Sequence, residues 1–252
     1  MTNELTEAQI LLSVNQNSGF VTLPYLEYAF NASIKNNFLY IENQKTGCSS
    51  LKQALVAAEL GNNNNNNAFD FKLIHNRKYS PLLNVYQVGN LNTFLKRKDI
   101  HRFSFVRNPY TRLLSAYLDK IKTNQLIVNT LLKQTGQTKV KRKDITFEAF
   151  VGMVGLQTSY MMDPHWRIQY YNILYKEIDY GKIYRFENLE SEVSSLLKIL
   201  NINQNLYSNV SPHKTKANDL LDKYYTTNLK DRVYDIFEID FDTFGYNKEL
   251  PG

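Results

Sequence analysis

Two short segments constrain the fold of this 252-residue chain more than any other part of it: ENQKTGCSSLK at residues 42–52 and FVRNPYTRLLSAY at residues 105–117. Each reads as the end of a strand, a tight basic turn and the start of a helix. The apolar run Phe38-Leu39-Tyr40-Ile41 predicts a buried strand before the first turn, and Phe103-Ser104-Phe105-Val106 predicts one before the second. A helix is expected from Cys48 to Leu60, and another under Leu113, Leu114, Tyr117, Leu118 and Ile121, whose spacing is helical. Such a turn aims backbone N–H groups and the positive end of a helix dipole at an anion. One turn suits one phosphate. Two in one chain predict a ligand phosphorylated at two separate places.

In the first turn, Gln44-Lys45-Thr46-Gly47, the glycine lets the backbone wrap closely round a ligand oxygen. Lys45 supplies a compact point charge. Ser49 and Ser50 supply hydroxyls beside the N–H groups of the first helical turn. This is not a Walker A loop, because its lysine precedes the only glycine. In the second segment Arg107 follows the strand, at the end of an open α/β sheet where ligands bind. Asn108 suits a helix cap and Pro109 the first helical position. Arg107 and Ser115 are expected to hold a phosphate together, by guanidinium fork and hydroxyl. The plainer alternatives are a capped turn with a surface lysine, and arginines paired with surface carboxylates.

At this point the chain resembles the PAPS-dependent sulfotransferases, in particular the branch that contains the Golgi carbohydrate sulfotransferases. The Lys45-Thr46-Gly47 turn with its following serine is similar to that family's 5′-phosphosulfate loop. Arg107, Pro109 and Ser115 are similar to its 3′-phosphate motif. His165-Trp166-Arg167, Tyr184–Leu189 and Asp240–Tyr246 agree more loosely. The resemblance implies an α/β fold with a mostly parallel central sheet of about four or five strands flanked by helices, the P-loop nucleotide-kinase-like sulfotransferase fold. It implies transfer of a sulfuryl group from 3′-phosphoadenosine 5′-phosphosulfate (PAPS) to an acceptor hydroxyl, with PAP as product and no metal. It assigns Lys45, Thr46, Gly47, Cys48, Ser49, Ser50, Arg107 and Ser115 to the donor. The acceptor it suggests is a glycan or another hydroxyl compound.

The chain's length suits a single domain over residues 1–252, with 1–37 as a lead-in and flexible loops at 62–67 (six asparagines) and 134–143. The one cysteine, Cys48, excludes an intrachain disulfide and a cysteine-built zinc cage. A net charge of +6 favours an anionic ligand. The basic residues Lys133, Lys139, Lys141, Arg142 and Lys143 lack the interleaved aromatics of a single-strand nucleic-acid platform, so no nucleic-acid partner is expected. No signal peptide and no membrane span is read, which suggests a soluble relative, cytoplasmic if bacterial, or else a trimmed form of a Golgi-type enzyme. Further strands and helices are expected at 182–186, 147–154, 191–200 and 229–237.

A base must take the acceptor's proton, and four histidines are available. His75, between the two phosphate motifs, ranks first and His165 second. His101 precedes its strand and so falls at the wrong end of the sheet, and His213 is expected in a late loop. Glu187 is the main carboxylate rival, with Asp70 weaker. His165, Trp166, Arg167, Gln169 and Glu187 are the acceptor-site candidates. Two other readings stay open on the residues alone: a non-catalytic basic binder of acidic polysaccharide or nucleic acid, and an ATP-using kinase of related fold.

Overall fold

The computed structural model describes residues 21–61, 74–208 and 217–251. The six-asparagine tract, Asp70 and His213 lie outside these residues. The described chain groups into two compact units. The first takes the described residues of 1–43, 47–106 and 173–212, and the second those of 44–46, 107–172 and 213–252.

The first unit is built on one four-stranded sheet: β1 (Phe30–Ser33), β2 (Phe38–Ile41), β3 (His101–Val106) and β4 (Lys182–Arg185), in the order β1-β2-β3-β4. β2, β3 and β4 run parallel, and β1 is antiparallel to β2. The mostly parallel sheet is therefore as expected. Alternate residues of neighbouring strands share a face. Here Phe38, Tyr40, Phe103, Phe105 and Tyr184 pack with Leu51, Ala54 and Leu55 of the helix Cys48–Glu59 and with Val193, Leu196 and Leu197 of the helix Leu189–Ile199. Ring pairs cross the strands, with centroids 5.2 Å apart for Tyr40 and Phe103 and 5.0 Å for Phe105 and Tyr184. Such contacts add to simple area burial and pin the strand register.

Thr22 caps a helix, Leu23–Ala29, and the chain then enters β1. His101 opens β3 rather than preceding it, because Asn37 O accepts its backbone N–H and Phe38 is its register partner.

The second unit is helical. Its core joins Tyr110, Leu113, Leu114 and Tyr117 to Phe150, Val151, Val154, Val233 and Phe241. The helices that carry them span Pro109–Ala116, Phe147–Gly155 and Thr227–Phe244. The last runs beyond the expected 229–237, since Thr226 caps its start and Gly245, left-handed at φ 62, ends it. It is bent at Phe237, whose φ and ψ are −113 and 17. Gln134, expected in a loop, ends the helix Gln125–Gln134, which Asn124 caps through Leu126 N and Ile127 N. After Ala116 the chain winds as a π-helix, Tyr117–Ile121. A π-turn shifts the side chains after it, and such turns recur at functional sites. Among the described residues no helix is long and apolar enough to cross a membrane.

Candidate active site

The turn between β2 and the helix Cys48–Glu59 holds two residues in the left-handed region, Lys45 at φ 71 and Gly47 at φ 75. For lysine this conformation is uncommon and costs energy, so the surroundings must impose it. For Gly47 it is natural, and a second constraint adds to it. A Cβ there would lie 2.9 Å from Leu189 Cδ2 and 3.4 Å from Phe186 Cε2, both in the first unit. Gly47 occupies the cap position and brings no capping side chain to the N–H groups of the helix it begins.

Within the second unit, Lys45 Nζ donates to Asp119 Oδ2 at 2.9 Å, and Lys120 Nζ lies 3.1 Å from the same oxygen. Burial pulls the Lys45 ammonium below the ordinary lysine value, against the pull of Asp119. Burial works to raise the Asp119 carboxyl, but Lys45 and Lys120 outweigh it and hold the group below the usual carboxylate range. The guanidinium of the buried Arg107 reaches several partners. Nη1 donates to the carbonyl of Lys45 at 3.3 Å, Nε to Thr111 Oγ1 at 2.9 Å and Nη2 to Asn218 Oδ1 at 2.9 Å. Lys45 and Arg107, expected to serve one ligand, are thus tied to each other. Ser115 is buried on the same helix as Thr111, one turn further along.

A second layer fixes this arrangement from behind. The Gln169 side chain clamps the Arg107 backbone, with Arg107 N donating to Oε1 at 2.9 Å and Nε2 donating to Arg107 O at 2.8 Å. Asp240 in turn accepts the backbone N–H groups of Gln169 and Tyr170, each at 2.8 Å. Arg112 Nε donates to Gln44 O, and its two terminal nitrogens donate to the carbonyls of Arg167 and Pro164. Gln169, one of the residues expected near the acceptor, thus holds the Arg107 backbone. Arg112 is itself buried and braces these backbone carbonyls.

The first unit carries its own polar chain. Ser49 Oγ lies 2.7 Å from His75 Nε2, and Tyr28 Oη lies 2.9 Å from His75 Nδ1. Tyr28 Oη also donates to Glu42 Oε1 at 3.1 Å, and Glu42 Oε2 accepts from Lys52 Nζ at 2.8 Å. Both members of the Glu42–Lys52 pair are 0% exposed. Burial acts to raise the Glu42 carboxyl, yet Lys52, His75 and a hydrogen bond with Cys48 hold it below its ordinary value. Burial, reinforced by Glu42, drives the Tyr28 phenol far above its ordinary value.

The remaining expected residues fall in varied surroundings. Thr46 and Ser50 are buried, and Cys48 is half-buried. His165 Nδ1 lies 2.5 Å from Asp163 Oδ1, the pair being about a quarter exposed. Trp166 is 1% exposed, meets Phe150 edge-on at 5.2 Å and donates Nε1–H to Gln157 Oε1. Its indole packs in the core of the second unit with its one donor satisfied. Arg167 is also buried, with Nε donating to the Ser159 carbonyl. Glu187 stands exposed in the 3-10 turn Phe186–Asn188 after β4. His101 Nε2 is 3.2 Å from Tyr184 Oη, at the amino end of β3.

Sequence reasoning missed Asp119, Thr111, Asn218, Tyr28 and Glu42. Only Glu42 had a local signal, a carboxylate directly ahead of the basic turn.

The profile of the Sulfotransferase family matches residues 28–247. Carbohydrate sulfotransferase 10 of Rattus norvegicus is 24% identical over 241 residues, covering 85% of this chain and 65% of that protein. The Homo sapiens carbohydrate sulfotransferase 10 gives the same identity and coverage. Carbohydrate sulfotransferase 11 of Rattus norvegicus is 25% identical over 193 residues, covering 66% of this chain and 51% of that protein. The chain therefore spans between half and two thirds of the length of these relatives. No solved structure matches it significantly.

Proposed function

The chain belongs to the sulfotransferase family, and from that premise we propose that it moves a sulfuryl group from PAPS to an acceptor hydroxyl on a carbohydrate. The observation that carries this reading is the bond from Arg107 Nη1 to the carbonyl of Lys45. It brings Arg107 against the backbone of the Lys45 turn, which supports one ligand that meets both basic segments. Within the second unit the residues present fit such a polyanion: the Lys45 ammonium, the Arg107 guanidinium and the hydroxyls of Thr111 and Ser115.

When bound, PAPS supplies a sulfuryl group on a phosphate leaving group and a separate 3′-phosphate. Lys45 exchanges Asp119 for the bridging oxygen and neutralises charge there as it develops, a contribution specific to the transition state. The backbone N–H groups from Thr46 through Cys48 to Ser50 hold the 5′-phosphate, with Ser49 and Ser50 adding hydroxyls. Arg107 and Ser115 hold the 3′-phosphate, which separates this donor from ATP. His75 takes the acceptor's proton. Acceptor contacts go to His165 and Glu187, which keep solvent-accessible side chains. The carbohydrate as acceptor class rests on the relatives' names, carbohydrate sulfotransferases 10 and 11.

The test is incubation of the purified chain with radiolabelled PAPS and a panel of neutral and uronic-acid-containing oligosaccharides. Label on a sugar, lost in Lys45→Ala, is the expected result. PAPS binding with transfer only to non-sugar hydroxyls would overturn the acceptor class, and no PAPS binding would overturn the whole reading.

A further inference from the structure

The hydrogens of the Ser49–His75–Tyr28–Glu42 chain can be assigned one by one. Glu42 is buried against Lys52 and stays ionised, so it brings no hydrogen to its contact with Tyr28. That contact, 3.1 Å long, therefore uses the single hydroxyl hydrogen of Tyr28, whose phenol burial keeps protonated. Having given its hydrogen to Glu42, the Tyr28 oxygen faces His75 Nδ1 at 2.9 Å as an acceptor. Nδ1 must then carry a hydrogen. In a neutral imidazole, which has only one, Nε2 would then hold the lone pair and accept the Ser49 hydroxyl, the two atoms lying 2.7 Å apart.

We propose that Tyr28 and Glu42 are positioning residues that lock His75 in the Nδ1–H tautomer and so present Nε2 as the proton acceptor. The proposal rests on the reading of His75 as the base. An acceptor hydroxyl takes the place of Ser49 at Nε2. Its oxygen forms a bond to sulfur, the bond from sulfur to the bridging oxygen breaks with its electron pair leaving on PAP, and the hydroxyl proton ends on Nε2. The resulting imidazolium keeps Nδ1–H on Tyr28, with Glu42 Oε1 3.6 Å from Nδ1 as its counter-charge. Lys52 occupies the other Glu42 oxygen, so the carboxylate cannot turn away. Glu42 thus acts on the reaction through the tyrosine and the imidazole without meeting substrate.

The test pairs imidazole nitrogen NMR with kinetics on the full chain. In the unsubstituted protein the expected signals are a protonated Nδ1 and an unprotonated Nε2. Tyr28→Phe removes the acceptor at Nδ1 and leaves the Glu42–Lys52 pair whole. It should mix the tautomers and lower kcat by about tenfold, the worth of one hydrogen bond in the tautomer balance, while PAP affinity stays within about twofold. A protonated Nε2 in the unsubstituted protein would overturn the proposal. So would unchanged kcat in Tyr28→Phe when His75→Ala is inactive. Full activity in His75→Ala would overturn the base assignment itself, and the positioning role with it. Should Tyr28→Phe fail to fold, the nitrogen spectrum of the unsubstituted protein decides alone.

Discussion

Lys45 Nζ and Asp119 Oδ2 are 2.9 Å apart, and the lysine reaches this partner from a left-handed backbone. The ammonium that would neutralise a leaving group is thus already committed to a carboxylate. A polyanionic ligand has to compete with Asp119 for it. Asp119→Asn should tighten PAP binding several-fold, measured by calorimetry at low and moderate salt. The gain should shrink as salt screens the half-exposed carboxylate. Weaker binding in this variant would show that Asp119 supports the ligand instead of opposing it.

Lys45→Ala should lower kcat by about 10²–10³ while the chain stays folded. The lysine end of its ion pair is mostly buried, but Asp119 is about a third exposed and can be rehydrated when its partner is removed. Loss of one donor aimed at developing charge costs about 10²–10³ in kcat. Near-normal turnover would remove Lys45 from the chemistry.

Arg107→Ala should weaken PAP binding far more than binding of adenosine 5′-phosphosulfate, which lacks the 3′-phosphate. Arg107→Lys should not restore it, because the guanidinium reaches Lys45 O, Thr111 and Asn218 at once. Equal losses for the two nucleotides, read by titration, would refute the 3′-phosphate assignment.

Gly47→Ala should destabilise by roughly 1–3 kcal/mol, read as a fall in urea midpoint. Two causes act together: φ 75, and a Cβ placed 2.9 Å from Leu189 Cδ2. Leu189→Ala should relieve the second and restore only part of the loss. Complete rescue would mean that the backbone angle costs nothing.

Asp240 gives a pH signature. Burial pushes its carboxyl up to about 6, outweighing the N–H groups donated by Gln169 and Tyr170. The folded chain therefore keeps a proton that the unfolded chain, at the ordinary 3.8, has lost. Stability due to this group is full below about pH 4 and falls as pH rises toward about 6. A shift of this size is worth roughly 3 kcal/mol. The stability of the unsubstituted protein minus that of Asp240→Asn should drop across this window. A difference that rises instead would mean the backbone donors win over burial.

The legible parts of the fold are those written in contiguous residues. β2 with the turn at Lys45, and β3 with Arg107, Asn108 and Pro109, each pack strand end, cap and helix start into about a dozen positions. What escaped was pairing over distance. Asp119 lies 74 residues from Lys45, and Asn218 lies 111 from Arg107. Asp240 is 70 from Tyr170. No periodicity encodes such partners, since topology alone decides which carboxylate reaches which cation. β1 was missed for a related reason. Phe30-Asn31-Ala32-Ser33 has no strong alternation, and its strand character comes from its antiparallel register with β2. Trp166 illustrates the converse, a side chain whose type suggests a ligand and whose burial in the helical core its local sequence does not reveal.

The central claim is a donor site that reads two phosphates, and calorimetric titration of the purified chain with PAP beside ADP and AMP tests it most directly. The account predicts tight binding of PAP and weak binding of the other two, because only PAP engages both Lys45 and Arg107. Equal affinity for PAP and ADP, or no binding of PAP, would contradict it.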